Sequence, residues 1–333
     1  MKAFIIKNYK KGGELQLSDM PDPVIKENQV LVEIHAASVN LLDSKIKDGE
    51  FKIFLKYRTP LILGHDVAGI VTKVGSKVTK FKEGDAVYAR PGDYRFGTFA
   101  EQIAMNEEDV ALKPENLTME EAASIPLVGL TAWQALVENA NLKKGDKVFI
   151  QAGSGGVGTF AIQLAKHLGL TVATTASEKS FDFLKSLGAD VLIDYKTQQF
   201  EDILHDYDFV LNSQDAKTLD KSFEIVKSGG QITSISGPPT PEFADELQLP
   251  WFVKIIVGLL SSKVRKKANK QNISYDFLFM KASGRQLSEI TELIEAGIIK
   301  PVIDKVFPFS QTNDAMKYVE SGRAKGKVVL KVN

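Results

Sequence analysis

The residues with the clearest chemistry are Gln151-Ala152-Gly153-Ser154-Gly155-Gly156-Val157-Gly158, directly after the apolar run 147–150. A helical pattern opens at once, with Ala161, Leu164, Ala165 and Leu168 on one face. Gly153, Gly155 and Gly158 fit the G-x-G-x-x-G spacing. One glycine makes the tight turn, one lets the backbone approach a pyrophosphate, and one packs helix on strand. The helix start offers unpaired N–H groups and the positive end of a dipole to phosphate. Gly153, Ser154, Gly155, Gly156, Val157 and Gly158 are therefore expected to cradle a dinucleotide; an ordinary glycine-rich turn is the alternative. About 20 residues on, an NAD site places Asp or Glu on the ribose hydroxyls, but this chain has Thr174-Thr175-Ala176-Ser177-Glu178-Lys179. Ser177 and Lys179 are suited to a 2′-phosphate, which favours NADP(H). Glu178 points the other way, and a capping serine followed by helix-surface charges would look the same.

The elements that must position this loop follow from the rhythm of the chain. Residues 1 to about 124 carry short apolar stretches (3–6, 30–34, 67–74, 86–88, 102–104) between turn signals such as Gly12-Gly13 and Pro21-Asp22-Pro23, with only a possible helical turn near 41–46. A compact, antiparallel, barrel-like domain is expected. From about 125 strands and helices alternate: strands 147–151, 171–175, 191–194, 209–212, 231–236 and 276–279, with helices 156–168, 178–187 and 217–226 between them. Near-continuously apolar strands in repeated βα units predict a parallel sheet buried on both faces, a doubly wound α/β domain of Rossmann type. After a helix at 286–296, strand-like pieces at 302–307 and 328–332 return to the style of the first domain. The cleft between two such domains is the expected place for a small molecule.

Composition narrows the function classes. Lys+Arg and Asp+Glu both number 42 in 333 residues, so nothing in the charge balance predicts a nucleic-acid partner. The chain has no cysteine, which removes disulfides, thiolate nucleophiles and cysteine-ligated metals. No signal-like start or spanning run is read, so a soluble, cytoplasmic protein without a membrane span is expected. Segment 238–272 is the odd one: prolines at 238, 239 and 241, an apolar stretch 251–260, then five basic residues within 263–270. Such a stretch suits a membrane surface or a partner. A lid or dimer helix that buries its apolar half and leaves a solvated basic tail is the favoured reading.

Gly64-His65-Asp66-Val67-Ala68-Gly69, Lys82-Glu83-Gly84-Asp85-Ala86-Val87-Tyr88, Gly129-Leu130-Thr131-Ala132, the 151–158 loop and Gly322-Arg323-Ala324-Lys325-Gly326-Lys327-Val328-Val329 occur in this order. That order resembles the medium-chain dehydrogenase/reductase superfamily, in particular its zinc-free quinone oxidoreductase and alkenal/enone reductase branch, over essentially the full chain. The resemblance implies a GroES-like catalytic domain from 1–124 and 282–333, a Rossmann NADP-binding domain from 125–281, and a homodimer. It departs from the zinc alcohol dehydrogenases at their metal ligands. Asn40 stands where a first cysteine would, His65 remains, and the structural-zinc cysteines are missing. One histidine with Asp43 and Asp66 nearby makes a poor zinc site, so no metal is expected.

Without a Lewis acid, hydride addition to an isolated ketone leaves an alkoxide with little support. A quinone or an α,β-unsaturated carbonyl instead gives a delocalised phenolate or enolate, which needs one or two hydrogen-bond donors and a proton source. Asn40 is the candidate donor, Asp43 an orienting or relay group or else a helix cap, and His65 a hydrogen-bonding residue. The resemblance also implies cofactor contacts from Thr131, Tyr195 and Lys327. Ser236, Gly237, Phe277 and Phe279 fall at strand ends where a nicotinamide would lie; the two phenylalanines read equally well as core. Loops 48–60 and 238–260 are expected to line the acceptor pocket. The expected activity is NADPH-dependent reduction of quinones or conjugated carbonyls. Reduction of enoyl thioesters, or NADPH binding without turnover as a redox sensor, are the alternatives.

Overall fold

The computed structural model describes residues 1–52, 55, 57–93 and 95–333. Within the expected acceptor loop 48–60, Ile53, Phe54 and Lys56 lie outside the described residues. The chain divides into two compact units, one made of Met1–Leu130 with Lys281–Asn333 and the other of Thr131–Met280.

The Thr131–Met280 unit is built on six parallel strands. Across the sheet their order is Val191–Asp194, Thr171–Ala176, Lys147–Ile150, Tyr207–Asn212, Val226–Ser234 and Ser274–Phe277. Lys147–Ile150 is first in the chain and third in the sheet, so the winding reverses beside it, and the crevice past its C-terminal end is where ligands bind in such sheets. Val148, Phe149 and Ile150 are fully buried, as a strand covered on both faces requires. Phe149 packs with Phe200, Tyr207, Leu219 and Phe223 in the core. Four elements differ from expectation. The fourth strand begins two residues earlier, the fifth begins earlier and stops at Ser234, short of Ser236, and the sixth sits two residues earlier, leaving Phe279 beyond its end. The helix expected at 178–187 is a short 3₁₀ turn, Glu178–Ser180, followed by Phe181–Ser186.

The other unit is mostly antiparallel β. Its longest strand, Gln29–Val39, pairs with Asp66–Val74, Gln102–Asn106 and Lys327–Lys331. Ile303–Pro308 extends the same sheet beside Lys327–Lys331, so the two C-terminal strand pieces do return to the first part of the chain. A smaller sheet joins Gln16–Asp19, Lys2–Ile6 and Leu61–Ile62. The possible turn at 41–46 is a helix, Leu41–Asp48, closed by Gly49 at φ 81°.

Segment 238–272 folds as three helices, Pro241–Glu246, Trp251–Leu260 and Ser262–Gln271. Within this chain the apolar half of the middle one is left largely uncovered. Val253 and Val257 are buried, while Trp251, Phe252, Ile255, Ile256, Leu259 and Leu260 are exposed. Among the described residues no helix is long and apolar enough to cross a membrane.

Candidate functional site

The glycine loop has the shape its spacing predicts. Ala152 sits at φ 52°, a left-handed conformation that a side chain seldom takes, and its N–H is held by Thr175 Oγ1 at 3.1 Å. A Cβ on Gly153 would stand 2.2 Å from Thr174 Oγ1, and one on Gly158 would stand 2.5 Å from the Ala152 carbonyl oxygen. These two glycines let strand, turn and helix touch. Gly155 differs: a Cβ there would meet only the Ala152 oxygen, at 3.4 Å. Its space is open, as a backbone that must admit a phosphate requires. The helix Gly156–His167 starts beside it and lends its first N–H groups and dipole. The loop therefore fits a pyrophosphate.

Ser177, Lys179 and Tyr195 fall at one corner. Strands Thr171–Ala176 and Val191–Asp194 run side by side, and the Tyr195 N–H reaches the Ala176 carbonyl at 3.4 Å. Lys179 and Tyr195 are exposed, and the Ser177 side chain makes no capping bond to the turn it precedes. The capping alternative for Ser177 is thus not what its side chain does.

A buried polar ladder that sequence reasoning missed braces the C-terminal ends of the central strands. Asn212 Nδ2 donates to Gln151 Oε1 at 2.7 Å, Gln151 Nε2 donates to Ser222 Oγ at 2.8 Å, and Ser234 Oγ donates to Asn212 Oδ1 at 2.6 Å. The N–H groups of Ser236 and Gly237 both turn back onto Ser234 Oγ, at 3.3 and 2.8 Å. A Cβ on Gly237 would strike the Tyr275 hydroxyl at 2.6 Å. Burial raises that hydroxyl far above the usual tyrosine range, keeping it a donor, to the Pro238 carbonyl at 2.9 Å. Phe277 and Phe279 each meet Phe243 edge to face, with centroids 5.2 and 5.4 Å apart. Thr131 is buried in helix Pro126–Trp133.

Asn40, Asp43, His65 and Lys327 gather in the β-rich unit, together with Asp66. Asp43 lies in the first turn of Leu41–Asp48, where its Oδ2 accepts from the Asn40 N–H at 2.8 Å. Its Oδ1 accepts from His65 Nδ1 at 2.6 Å and from the Gly64 N–H at 3.2 Å. Asp43 is thus both a helix cap and the partner that orients His65, whose ring stacks on Phe96 at 4.2 Å. Asp66 is fully buried and takes four donors. Its Oδ2 accepts from Ser38 Oγ at 2.6 Å, Asn40 Nδ2 at 2.8 Å and Lys327 Nζ at 3.1 Å, and its Oδ1 accepts from the Leu127 N–H at 2.6 Å. Lys327 Nζ also donates to Asn40 Oδ1 at 2.5 Å. Asn40 is therefore not a free amide: both ends are fixed, one by a carboxylate and one by an ammonium. Lys327 spends two of its three N–H groups on this pair.

These residues do not fit zinc. The chain lacks cysteine, His65 is bonded to Asp43, and Asp66 already neutralises a cation, Lys327. Among the described residues no group of three or more His, Asp or Glu side chains is placed to hold a metal ion.

A GroES-like β unit carrying a buried donor cluster, with a Rossmann unit carrying a phosphate cradle, defines an alcohol-dehydrogenase-like oxidoreductase. The description "Alcohol dehydrogenase GroES-like domain" matches residues 26–115, and "Zinc-binding dehydrogenase" matches residues 187–330. A 2-methylene-furan-3-one reductase of Solanum lycopersicum is 38% identical over 341 residues, covering 99% of this chain and 79% of the relative. A chloroplastic NADPH-dependent alkenal/one oxidoreductase of Arabidopsis thaliana is 36% identical, with the same coverage. The solved quinone oxidoreductase of Coxiella burnetii superposes with a TM-score of 0.87 at 32% identity, covering 100% of this chain and 99% of the other. The chain belongs to the medium-chain dehydrogenase/reductase superfamily, in its quinone oxidoreductase and alkenal/enone reductase branch.

Proposed function

We propose that this chain reduces quinones or α,β-unsaturated aldehydes and ketones with hydride from NADPH, without zinc. The observation that carries this reading is the Asn40–Lys327–Asp66 cluster, a fixed hydrogen-bonding cation in a family whose zinc members use a metal ion. NADPH supplies the hydride when bound. The loop 153–158 and the start of Gly156–His167 hold its pyrophosphate, and Ser177, Lys179 and Tyr195 form the corner suited to a 2′-phosphate. The names of the tomato and Arabidopsis relatives support an enone acceptor and NADPH. As charge moves onto the acceptor oxygen, the remaining Lys327 N–H stabilises it; a delocalised enolate or phenolate asks for no more. Asp43 orients the His65 ring through Nδ1, and water supplies the proton that the enolate or phenolate takes up.

An oxidation assay of NADPH against NADH settles the reading, run with chelator over a quinone, an alkenal and an enoyl thioester. We expect NADPH to be preferred, quinone or alkenal to turn over, and chelator to leave the rate unchanged. Chelator-sensitive turnover, or NADPH binding with no turnover on any acceptor, would sink it. A homodimer in the cytoplasm completes the reading, two-fold pairs being the commonest assembly. Light scattering and cell fractionation check these two parts.

A further inference from the structure

We propose that helices Trp251–Leu260 and Ser262–Gln271 dock this protein on an anionic phospholipid surface. Trp251, Phe252, Ile255, Ile256, Leu259 and Leu260 are 74, 52, 55, 45, 68 and 58% exposed. Their spacing, in pairs four residues apart, puts all six on one side of the helix. The opposite side anchors it. Val253 and Val257 are buried, Lys254 is paired with Asp245 at 2.6 Å, and Ser261 Oγ donates to the Val257 carbonyl at 2.9 Å. The stripe is therefore a formed surface and not a frayed end. Contiguous exposed apolar patches beyond a few hundred Å² are rare on soluble proteins and mark contact sites.

Charge identifies the occupant. The protein has zero net charge, yet 251–271 holds six Lys or Arg and no Asp or Glu. Lys267 is paired with Asp220 and Arg265 bonds the Gly258 carbonyl, while Lys263, Lys266 and Lys270 stand exposed in the second helix. The nearest acidic side chains in sequence are Glu242, Asp245 and Glu246 before these helices and Asp276 after them, and Lys254 pairs with one of them, Asp245. An anionic bilayer accepts both features: Trp, Phe and aliphatic side chains enter the headgroup boundary while lysines meet the lipid charge. At ten residues the helix lies in that boundary and does not span it.

Cosedimentation of the full protein with vesicles tests this, comparing phosphatidylcholine alone with phosphatidylcholine mixed with phosphatidylserine. We expect at least about tenfold tighter binding to the mixed vesicles, given the usual contribution of each surface lysine. Reversing Lys263, Lys266 and Lys270 to Glu should remove that preference. The W251S/L259S variant should lose binding to both vesicle types while keeping its melting temperature, since both positions are exposed. No binding to mixed vesicles, or equal binding to both that ignores the lysine reversals, would overturn the proposal. So would W251S/L259S converting a dimer to a monomer in light scattering, which would assign the surface to a second copy.

Discussion

Asp66 shows how much one carboxylate can organise. It holds Lys327 and Asn40 side by side, with Ser38 and Leu127 completing its shell. Removing one partner of a buried pair strands the other charge, at a cost of about 3–5 kcal/mol, whereas removing both leaves no bare charge. Asp66→Asn and Lys327→Met should therefore each destabilise strongly in denaturant titration, and the double variant should cost clearly less than their sum. Additive losses would mean the pair is not a unit. The glycine loop gives a sharper contrast between two neighbours. Gly153→Ala drives a methyl into Thr174 and should cost about 1–3 kcal/mol of stability, as overpacking does. Gly155→Ala finds room, so the unliganded protein should melt within about 0.5 kcal/mol of the parent. Its methyl takes the space a phosphate would use, and NADPH affinity, measured by fluorescence, should fall at least about tenfold. Unchanged affinity in Gly155→Ala would move the phosphate site elsewhere.

At the scale of elements, helix Ala216–Ile225 depends on its first residue outside. Asp215 accepts from the Thr218 N–H at 2.8 Å and from Thr218 Oγ1 at 2.7 Å. The backbone bond to Thr218, and then the hydroxyl, lower the Asp215 carboxyl below its usual 3.8. A lowered carboxyl stabilises the fold above the unfolded value, and that contribution disappears as pH falls through the lower folded value. Asp215→Ala should cost about 1 kcal/mol near neutral pH. The gap to the parent should shrink only below about pH 3.8, where thermal melts at several pH values would show it. Elements of this local kind were the legible ones. The 151–158 turn, the six-strand rhythm and the return of the C-terminal strands all announce themselves through glycine spacing and apolar runs. The partners of Asn40 do not. Lys327 meets Asp66 from 261 positions away because Lys327–Lys331 pairs with Gln29–Val39, and no local pattern encodes that register. The stripe at 251–260 was only half legible for a related reason: its apolar residues announce a surface to be covered, and only the fold shows that Val253 and Val257 are the ones its own chain covers.

The whole chain is threaded asymmetrically, and that bears on how it comes apart. The Rossmann unit is one uninterrupted segment, Thr131–Met280, whose strands all pair among themselves around a core of its own. The β-rich unit is stitched from both ends of the chain, with Lys327–Lys331 hydrogen-bonded to Gln29–Val39, and Val328 and Leu330 packed among Phe4, Ile6 and Val39. A fragment of residues 131–280 should therefore fold alone, show a cooperative melt and be stabilised by NADPH, by about 2.7 kcal/mol at a hundredfold excess over the dissociation constant. Truncation after residue 280 should do the opposite to the remaining N-terminal half. It removes the strands Ile303–Pro308 and Lys327–Lys331 together with Lys327, unpairing residues 36–39 of the Gln29–Val39 strand and leaving Asp66 buried without its cation. Such a chain should lose its β-rich unit and aggregate through the open edge. Limited proteolysis would then leave a fragment near 131–280 that still binds NADPH. If the truncated chain instead kept a protected N-terminal unit, the C-terminal strand would be an ornament of that fold and not one of its supports.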